Sequence, residues 1–154
     1  MYLFFENTKP IQCISNQLNV EFRKVTPTAK TVTEKLLLIY WQLASRLHGE
    51  RCCEYQILLE DRVVSYARVV PKNFMFKFIP NNGYHIGPCY TEPGHRGKGL
   101  YPLLLQHIMD DKPNTKFYMI IDENNIASIR GVRKVGFIEI AKGKKNILRQ
   151  WVKL

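Results

Sequence analysis

Long apolar runs are missing from this chain of 154 residues. The longest, Leu36 to Trp41, falls far short of the roughly 20 residues that cross a bilayer as a helix. The segment Met1 to Lys9 contains an acid, Glu6, and no basic stretch leading into an apolar one, so it does not read as a leader. A cytoplasmic protein without a membrane anchor is the expectation. Cysteine is scarce: of the 4 present, Cys52 and Cys53 are adjacent while Cys13 and Cys89 stand alone. That spacing suits neither a disulfide framework nor a zinc site, and it points to a reducing compartment and no metal. Internal repeats and low-complexity tracts are lacking too. A chain of this length, 45% hydrophobic, supports one well-buried core, so residues 1–154 are read as a single domain.

Acids are outnumbered, 13 against 23 lysines and arginines, for a formal charge of +10. A basic surface gains affinity for nucleic acid by releasing counterions. The cations here are scattered, however, and the one dense run, Lys142-Gly143-Lys144-Lys145, reads as a solvated hairpin. Neither interleaved aromatics nor a reading helix is visible, so a nucleic-acid partner is not expected. A small anionic ligand would profit from the same field.

Periodicity supplies the elements. Leu18 to Val25 alternates Leu18, Val20 and Phe22 against polar neighbours, a half-buried strand ended by Pro27. Thr31-Val32-Thr33-Glu34 reads as a capping box opening a helix whose Leu36, Ile39, Tyr40, Leu43 and Leu47 share the inward face, with Gly49 as its stop. Cys53 to Leu59 and Val63 to Val70 flank the polar turn Glu60-Asp61-Arg62 and form an antiparallel hairpin. Pro71 to Tyr84, with Phe74, Phe76 and Phe78 in alternation, is a short strand or a lid. His85 to Thr91 is a strand interrupted by Gly87-Pro88, the mark of an edge, a bulge or a splayed position.

Leu100, Leu103, Leu104 and Ile108 define a helix that tolerates Pro102 in its first turn and stops at Asp110-Asp111-Lys112-Pro113. Phe117 to Ile121 is a buried central strand. Ile126 to Val135 is a helix stopped by Gly136, and Phe137 to Ala141 with Ile147 to Val152 close the chain as a hairpin. The order β-α-β-β-β-α-β-α-β-β describes an α/β (α+β) fold, a mixed, mostly antiparallel sheet flanked by helices.

Chemistry concentrates at Gly97-Lys98-Gly99, where a strand hands over to a helix. Two glycines so placed let backbone N–H groups converge on an anion at the positive end of the helix dipole. A dinucleotide fingerprint would need a third glycine where Pro102 stands, and a Walker loop would need Ser or Thr where Gly99 stands. Both of those readings fail, which leaves an anion-binding turn or a turn kept for packing.

The segment Tyr90-Thr91-Glu92-Pro93-Gly94-His95-Arg96-Gly97-Lys98-Gly99-Leu100 resembles the fourth strand and coenzyme A turn of the GNAT acetyltransferases, whose motif is Arg/Gln-x-x-Gly-x-Gly/Ala. Arg96 and Gly99 match it, and Tyr101 departs from the small residue at the end. Asn125-Ile126-Ala127-Ser128, followed by Gly136-Phe137, resembles the family's second motif, although Asn125 also suits a plain helix cap. The resemblance implies a GNAT-type fold and an N-acetyltransferase that uses acetyl-CoA as co-substrate, with no metal, and a small-molecule primary amine as acceptor. Cofactor contacts are implied at Cys89, Tyr90, Thr91, Arg96, Gly97, Lys98, Gly99, Leu100, Tyr101, Asn125 and Ser128, with the Cys89 backbone amide polarising the thioester carbonyl.

Amide formation from a thioester also needs a deprotonated amine and a stabilised leaving thiolate. For the base, His85 is the first candidate: simple alternation puts residues 85, 87 and 89 on one face, and imidazole titrates near neutrality. A strand-end histidine with ordinary hydrogen bonds is the competing reading, and a water chain can replace a base. Glu54, Glu92, His95 and Asp122 are weaker candidates. A Cys89 nucleophile is not expected, since direct transfer requires no acyl-enzyme. In many family members a tyrosine seven residues after the asparagine protonates the thiolate; this chain has Val132 there. Tyr101, a water or unassisted departure are the substitutes, and a noncatalytic acyl-CoA binding or sensing module is the alternative function. The turn Arg96 to Pro102 is similar to that of small bacterial relatives associated with amino sugars, which makes an amino sugar one expected acceptor.

Overall fold

A computed structural model describes residues 1–7, 19–29, 31–46 and 52–154. Its elements are β1 (Tyr2–Asn7), β2 (Glu21–Val25), α1 (Val32–Arg46), β3 (Cys53–Leu59), β4 (Arg62–Pro71), β5 (Tyr84–Thr91), α2 (Leu100–Asp111), β6 (Phe117–Asp122), α3 (Ile126–Lys134), β7 (Phe137–Lys145) and β8 (Trp151–Lys153). Of the sequence expectations, Cys13, Leu18, Leu47 and Gly49 lie outside the described residues. The strands form one 8-stranded sheet in the order β2-β3-β4-β5-β6-β1-β7-β8. Every neighbouring pair is antiparallel except β5 with β6.

The element missing from the sequence reading is β1. Residues Leu3, Phe4 and Phe5 are consecutive and all buried, because β1 lies between β6 and β7 with both faces covered. Such a strand shows no alternation, which is why its pattern is silent. Leu3 and Phe5 enter the main core, while the Phe4 ring stacks on Phe78 at 4.5 Å on the other face. Asn7 fastens the strand's end: its side-chain oxygen accepts the Phe117 N–H at 2.6 Å.

The main core joins α2 and α3 to one sheet face. Leu100, Leu104, Leu105 and Ile108 of α2 and Ile129 and Val132 of α3 pack with Tyr55, Ile57, Val69, Ile86 and Phe117. Helix α1 covers the opposite face through Leu38 and Trp41, which cluster with Cys52 and Val70. Thr31 caps it as expected, its hydroxyl accepting the Glu34 N–H at 3.2 Å. The face expected inward is not the buried one: Leu36, Ile39 and Leu43 are exposed, and Tyr40 is only half-buried. The run Leu36 to Trp41 is apolar all round the helix, so no stripe was unique, and the indole of Trp41 with Leu38 one turn earlier takes the interior.

The segment between β4 and β5 is not a strand but a series of turns, with Phe76 N–H bonded to Asn73 O and Ile79 N–H to Phe76 O. Phe76 is buried and Phe74 exposed, so the aromatics do not alternate in a strand sense. At the other end β7 runs on to Lys145, taking the lysine run into the strand, and the chain returns through a turn at Asn146–Gln150 into the short edge strand β8.

Candidate active site

The site begins with a parting of strands. β5 and β6 pair only at Tyr84 with Phe117 and His85 with Tyr118. Beyond His85, β5 stays with β4 and β6 with β1, so a wedge opens between Ile86–Thr91 and Met119–Asp122. The pairing of β4 with β5 shifts where Ala67 faces Cys89 and Val69 faces Ile86. Two residues of β5, Gly87 and Pro88, thus stand against Arg68 alone, a bulge of the kind Gly87-Pro88 foreshadowed. Gly87 has φ +148°, and a Cβ there would meet the His85 ring at 2.8 Å. The extra residue also inverts the alternation. Cys89 shares the face of Ile86 and packs on the main core, whereas His85 stacks on Phe76 on the opposite face, ring centroids 4.2 Å apart. The expectation that 85 and 89 share a face is therefore corrected by the bulge.

Two clefts meet at this wedge. The first, of about 440 Å³, is lined by Cys89, Tyr90 and Thr91 of β5, by the turn Arg96, Gly97 and Gly99 with Leu100 and Tyr101, and by Asn125 and Ser128. Gly97 and Gly99 have φ +77° and +79°, the left-handed region, and a Cβ on either would touch nothing within 4 Å. Backbone conformation, not crowding, demands glycine at both, and the space in front of them is open. Arg96 is folded back on the turn: its Nε donates to Thr91 O at 3.0 Å. Lys98 is exposed and is the member of the expected set that does not line the cleft. Arg130 and Lys134, one turn apart on α3, do line it. Three cations and no carboxylate face this cleft, and the i, i+4 basic pair after Asn125 is the signal the sequence reading passed over.

Asn125 is the N-cap of α3, its Oδ1 accepting the Ser128 N–H at 3.1 Å. The Ser128 hydroxyl in turn donates to Tyr101 Oη at 3.2 Å, and Tyr101 Oη reaches Met119 Sδ at 3.9 Å. The Cys89 thiol is also in hydrogen-bond contact with Tyr101. Burial pushes that thiol up to about 12 and holds the Tyr101 phenol well above its ordinary value. Both stay protonated at neutral pH, and Cys89 has no thiolate with which to attack.

The second cleft, of about 470 Å³, lies across the sheet from the first and shares Cys89, Tyr101, Asn125 and Ser128 with it. His85 lines it, together with Glu34 and Trp41 of α1, Arg68, Phe76, Asp122 and Trp151. His85 is nine-tenths buried, and neither ring nitrogen has a hydrogen-bond partner among the described residues. Desolvation lowers its pKa to about 3. Of the other base candidates, Glu54 is buried in an ion pair with Arg68 Nε at 2.8 Å, and Glu92 pairs with Arg62 at 3.2 Å. His95 lies at the first cleft, and Asp122 at the second, accepting the Asn124 N–H at 2.9 Å. Val132 is fully buried and faces neither cleft. No group of His, Cys, Asp or Glu among the described residues could hold a metal, and none of their helices is long and apolar enough to cross a membrane.

A splayed strand pair with a glycine turn at a helix start, joined to a second cleft at the sheet's centre, is the layout of an acyl-transfer fold. The chain belongs to the GNAT acetyltransferase family, whose model matches residues 16–137. Three solved structures share the fold: a GNAT-family acetyltransferase from Novosphingobium aromaticivorans (TM-score 0.55, 15% identity), one from Colwellia psychrerythraea (0.57, 11%) and a GCN5-related N-acetyltransferase-like protein from Streptococcus suis (0.51, 13%). Each match covers 90% of this chain but 59%, 52% and 59% of the respective neighbour, so this chain spans little more than half of their length. No curated protein matches the sequence.

Proposed function

We propose that this single domain is an N-acetyltransferase that passes an acetyl group from acetyl-CoA directly to a primary amine of a small molecule. The observation that carries the reading is the meeting of two clefts at Cys89 and Tyr101, the first lined by cations with no carboxylate and the second holding the buried His85. Arg96, Arg130 and Lys134 suit the phosphates, and the amides of Gly97 to Tyr101 suit the pyrophosphate at the start of α2. The unpaired edge of β5 from Cys89 to Thr91 suits pantetheine, with Asn125 and Ser128 opposite. When bound, acetyl-CoA supplies the activated acetyl group.

Around that group each residue has a physical task. The Cys89 amide, on a strand edge held open by the bulge, donates to the carbonyl oxygen. Tyr101, kept protonated by burial, donates a hydrogen bond to the departing sulfur; Val132 has no donor to offer and is sealed in the core. The proton the amine sheds on forming the C–N bond equals the one the sulfur gains, so the chemistry needs no net acid. His85, neutral throughout the physiological range, orients the amine or its water by hydrogen bonding and is too weak a base to strip an ammonium. Proton release then runs through water in the second cleft.

The test is turnover. Release of free CoA thiol on mixing with acetyl-CoA and a primary amine supports the enzyme. A folded protein that binds acetyl-CoA and turns over no amine is the noncatalytic acyl-CoA module that Val132 also admits.

A further inference from the structure

Tight turns are ordinarily built from polar residues. The turn between β7 and β8 is held as firmly as any but presents aliphatic ones. The Asn146 N–H donates to Gln150 O at 2.9 Å. The Asn146 side chain accepts the Gln150 N–H at 2.8 Å and donates to Gln150 Oε1 at 3.1 Å. Arg149 takes φ +57°, a left-handed backbone that Gly or Asn adopts more readily. What this fixed loop turns outward is Ile147, fully exposed, and Leu148, 65% exposed. Single aliphatic residues on a surface are common; two in succession at the tip of a hairpin are not.

Around that tip the charge is of one sign. Residues 141–154 carry Lys142, Lys144, Lys145, Arg149 and Lys153 and no acidic side chain. The segment 71–84 is tied to β8 by the Trp151 N–H, which donates to Met75 O at 2.8 Å. It adds Lys72 and Lys77 and again no acid. It also exposes an apolar ring, Phe74, with Lys77 Nζ 5.7 Å from the centroid. Carboxylates on the neighbouring strands and loops are engaged elsewhere: Glu139 with Arg133 at 3.3 Å, Glu6 with Lys116 at 2.7 Å, and Glu123 with the Met1 amino group at 3.2 Å. Asp122 lines the second cleft and accepts the Asn124 N–H. The hairpin's cations therefore face solvent without carboxylate partners among the described residues.

We infer that this hairpin docks on an anionic bilayer surface, its lysines and arginine at the lipid phosphates and Ile147 and Leu148 reaching the acyl boundary. Nucleic acid would use the cations but not the tip, since bases are bound by aromatic stacking and hydrogen bonds that Ile and Leu do not supply. A protein partner anchors on side chains enclosed in a packed centre, and Ile147 stands clear of its own fold on every side. A lipid interface uses both features at once, the charge for attraction and the aliphatic tip for insertion. No spanning helix is involved, and the association is reversible. Lys145 and Trp151 of the same hairpin line the second cleft, so docking brings that cleft to the membrane surface. The inference stands independently of acetyl transfer.

Co-sedimentation with vesicles tests it, at about 0.1 M salt so that distant charges are screened. Vesicles of phosphatidylglycerol and phosphatidylcholine in equal parts should bind the wild type at least about tenfold more tightly than phosphatidylcholine alone. Ile147→Ser/Leu148→Ser and Lys142→Gln/Lys144→Gln replace exposed side chains, and thermal melting confirms that they fold. Each should weaken binding to the anionic vesicles by about tenfold. Equal binding to the two kinds of vesicle overturns the inference. So does undiminished binding of Ile147→Ser/Leu148→Ser, which would leave only the diffuse attraction of a chain of charge +10. A duplex DNA that binds more tightly than the anionic vesicles, and loses affinity in the same aliphatic variant, would assign the tip to nucleic acid instead. A wild-type dimer in gel filtration that this variant abolishes would assign it to a second copy of the chain.

Discussion

The Tyr101 ring occupies the space that a side chain on Gly131 would fill: a Cβ there would stand 2.6 Å from Cδ1 and 2.8 Å from Cε1 of the ring. Helix α2 thereby sends a phenol across to α3, where its hydroxyl meets Ser128 at the junction of both clefts. The departure from the family motif at 101 and the glycine at 131 are one packing arrangement.

Tyr101→Phe should keep the ring in its notch and remove only the hydroxyl. We expect kcat to fall by about 10²-fold, the usual scale for losing a proton donor in the transition state, with acetyl-CoA affinity within about twofold of wild type. Steady-state kinetics with thermal melting checks this. An unchanged kcat in a folded variant would assign the leaving sulfur to water.

Gly131→Ala makes the opposite perturbation, leaving the hydroxyl but displacing the ring. Overpacking of a filled site typically costs about 1–3 kcal/mol, and a phenol moved by an ångström should lower kcat about tenfold or more. The measurements are a urea midpoint and kcat. Loss of stability without loss of kcat would mean that the ring position is structural only.

His85 links stability to pH in a defined direction. Its pKa falls from 6.5 in the unfolded chain to about 3 in the fold, through burial. Below 6.5 the unfolded chain takes up a proton that the native chain refuses. The loss therefore begins near 6.5 and is complete near 3; between pH 7 and pH 5 it amounts to about 2 kcal/mol. Urea midpoints at the two pH values should show this slope in the wild type and a flatter one in His85→Phe. Equal slopes would mean that the native cleft admits the proton.

The strand β1 should be as necessary as any central strand. Phe5 is fully buried in the main core, and Phe5→Ala is expected to cost about 3–5 kcal/mol. Chemical denaturation measures it. A cost below 1 kcal/mol would be incompatible with β1 filling the sheet between β6 and β7.

What was legible in the sequence is the part governed by local chemistry. The Glu60-Asp61 turn appears with both residues at positive φ, Thr31 caps α1, and Gly97 and Gly99 adopt the backbone that only glycine takes readily. Gly87-Pro88 marked the bulge, but its consequence, the reversal of side-chain facing between His85 and Cys89, depends on the register with β4 and so cannot be read along one strand. The sheet position of β1 depends on residues more than a hundred positions away, such as Phe117 against Asn7. For α1, an apolar run with no polar side could not say which face is inward. Arg68, Glu34 and Trp151 converge from three separate elements, and no spacing in the chain announces their meeting.

The central claim is that the turn from Arg96 to Tyr101 holds acetyl-CoA beside the wedge. Calorimetric titration of acetyl-CoA into the wild type and into Arg96→Glu/Gly99→Val, with melting to confirm the fold, tests it most directly. Binding with a Kd of about micromolar order in the wild type, weakened at least about a hundredfold in the double variant, is the expected result. No binding to the folded wild type, or equal binding in the two, would contradict the account.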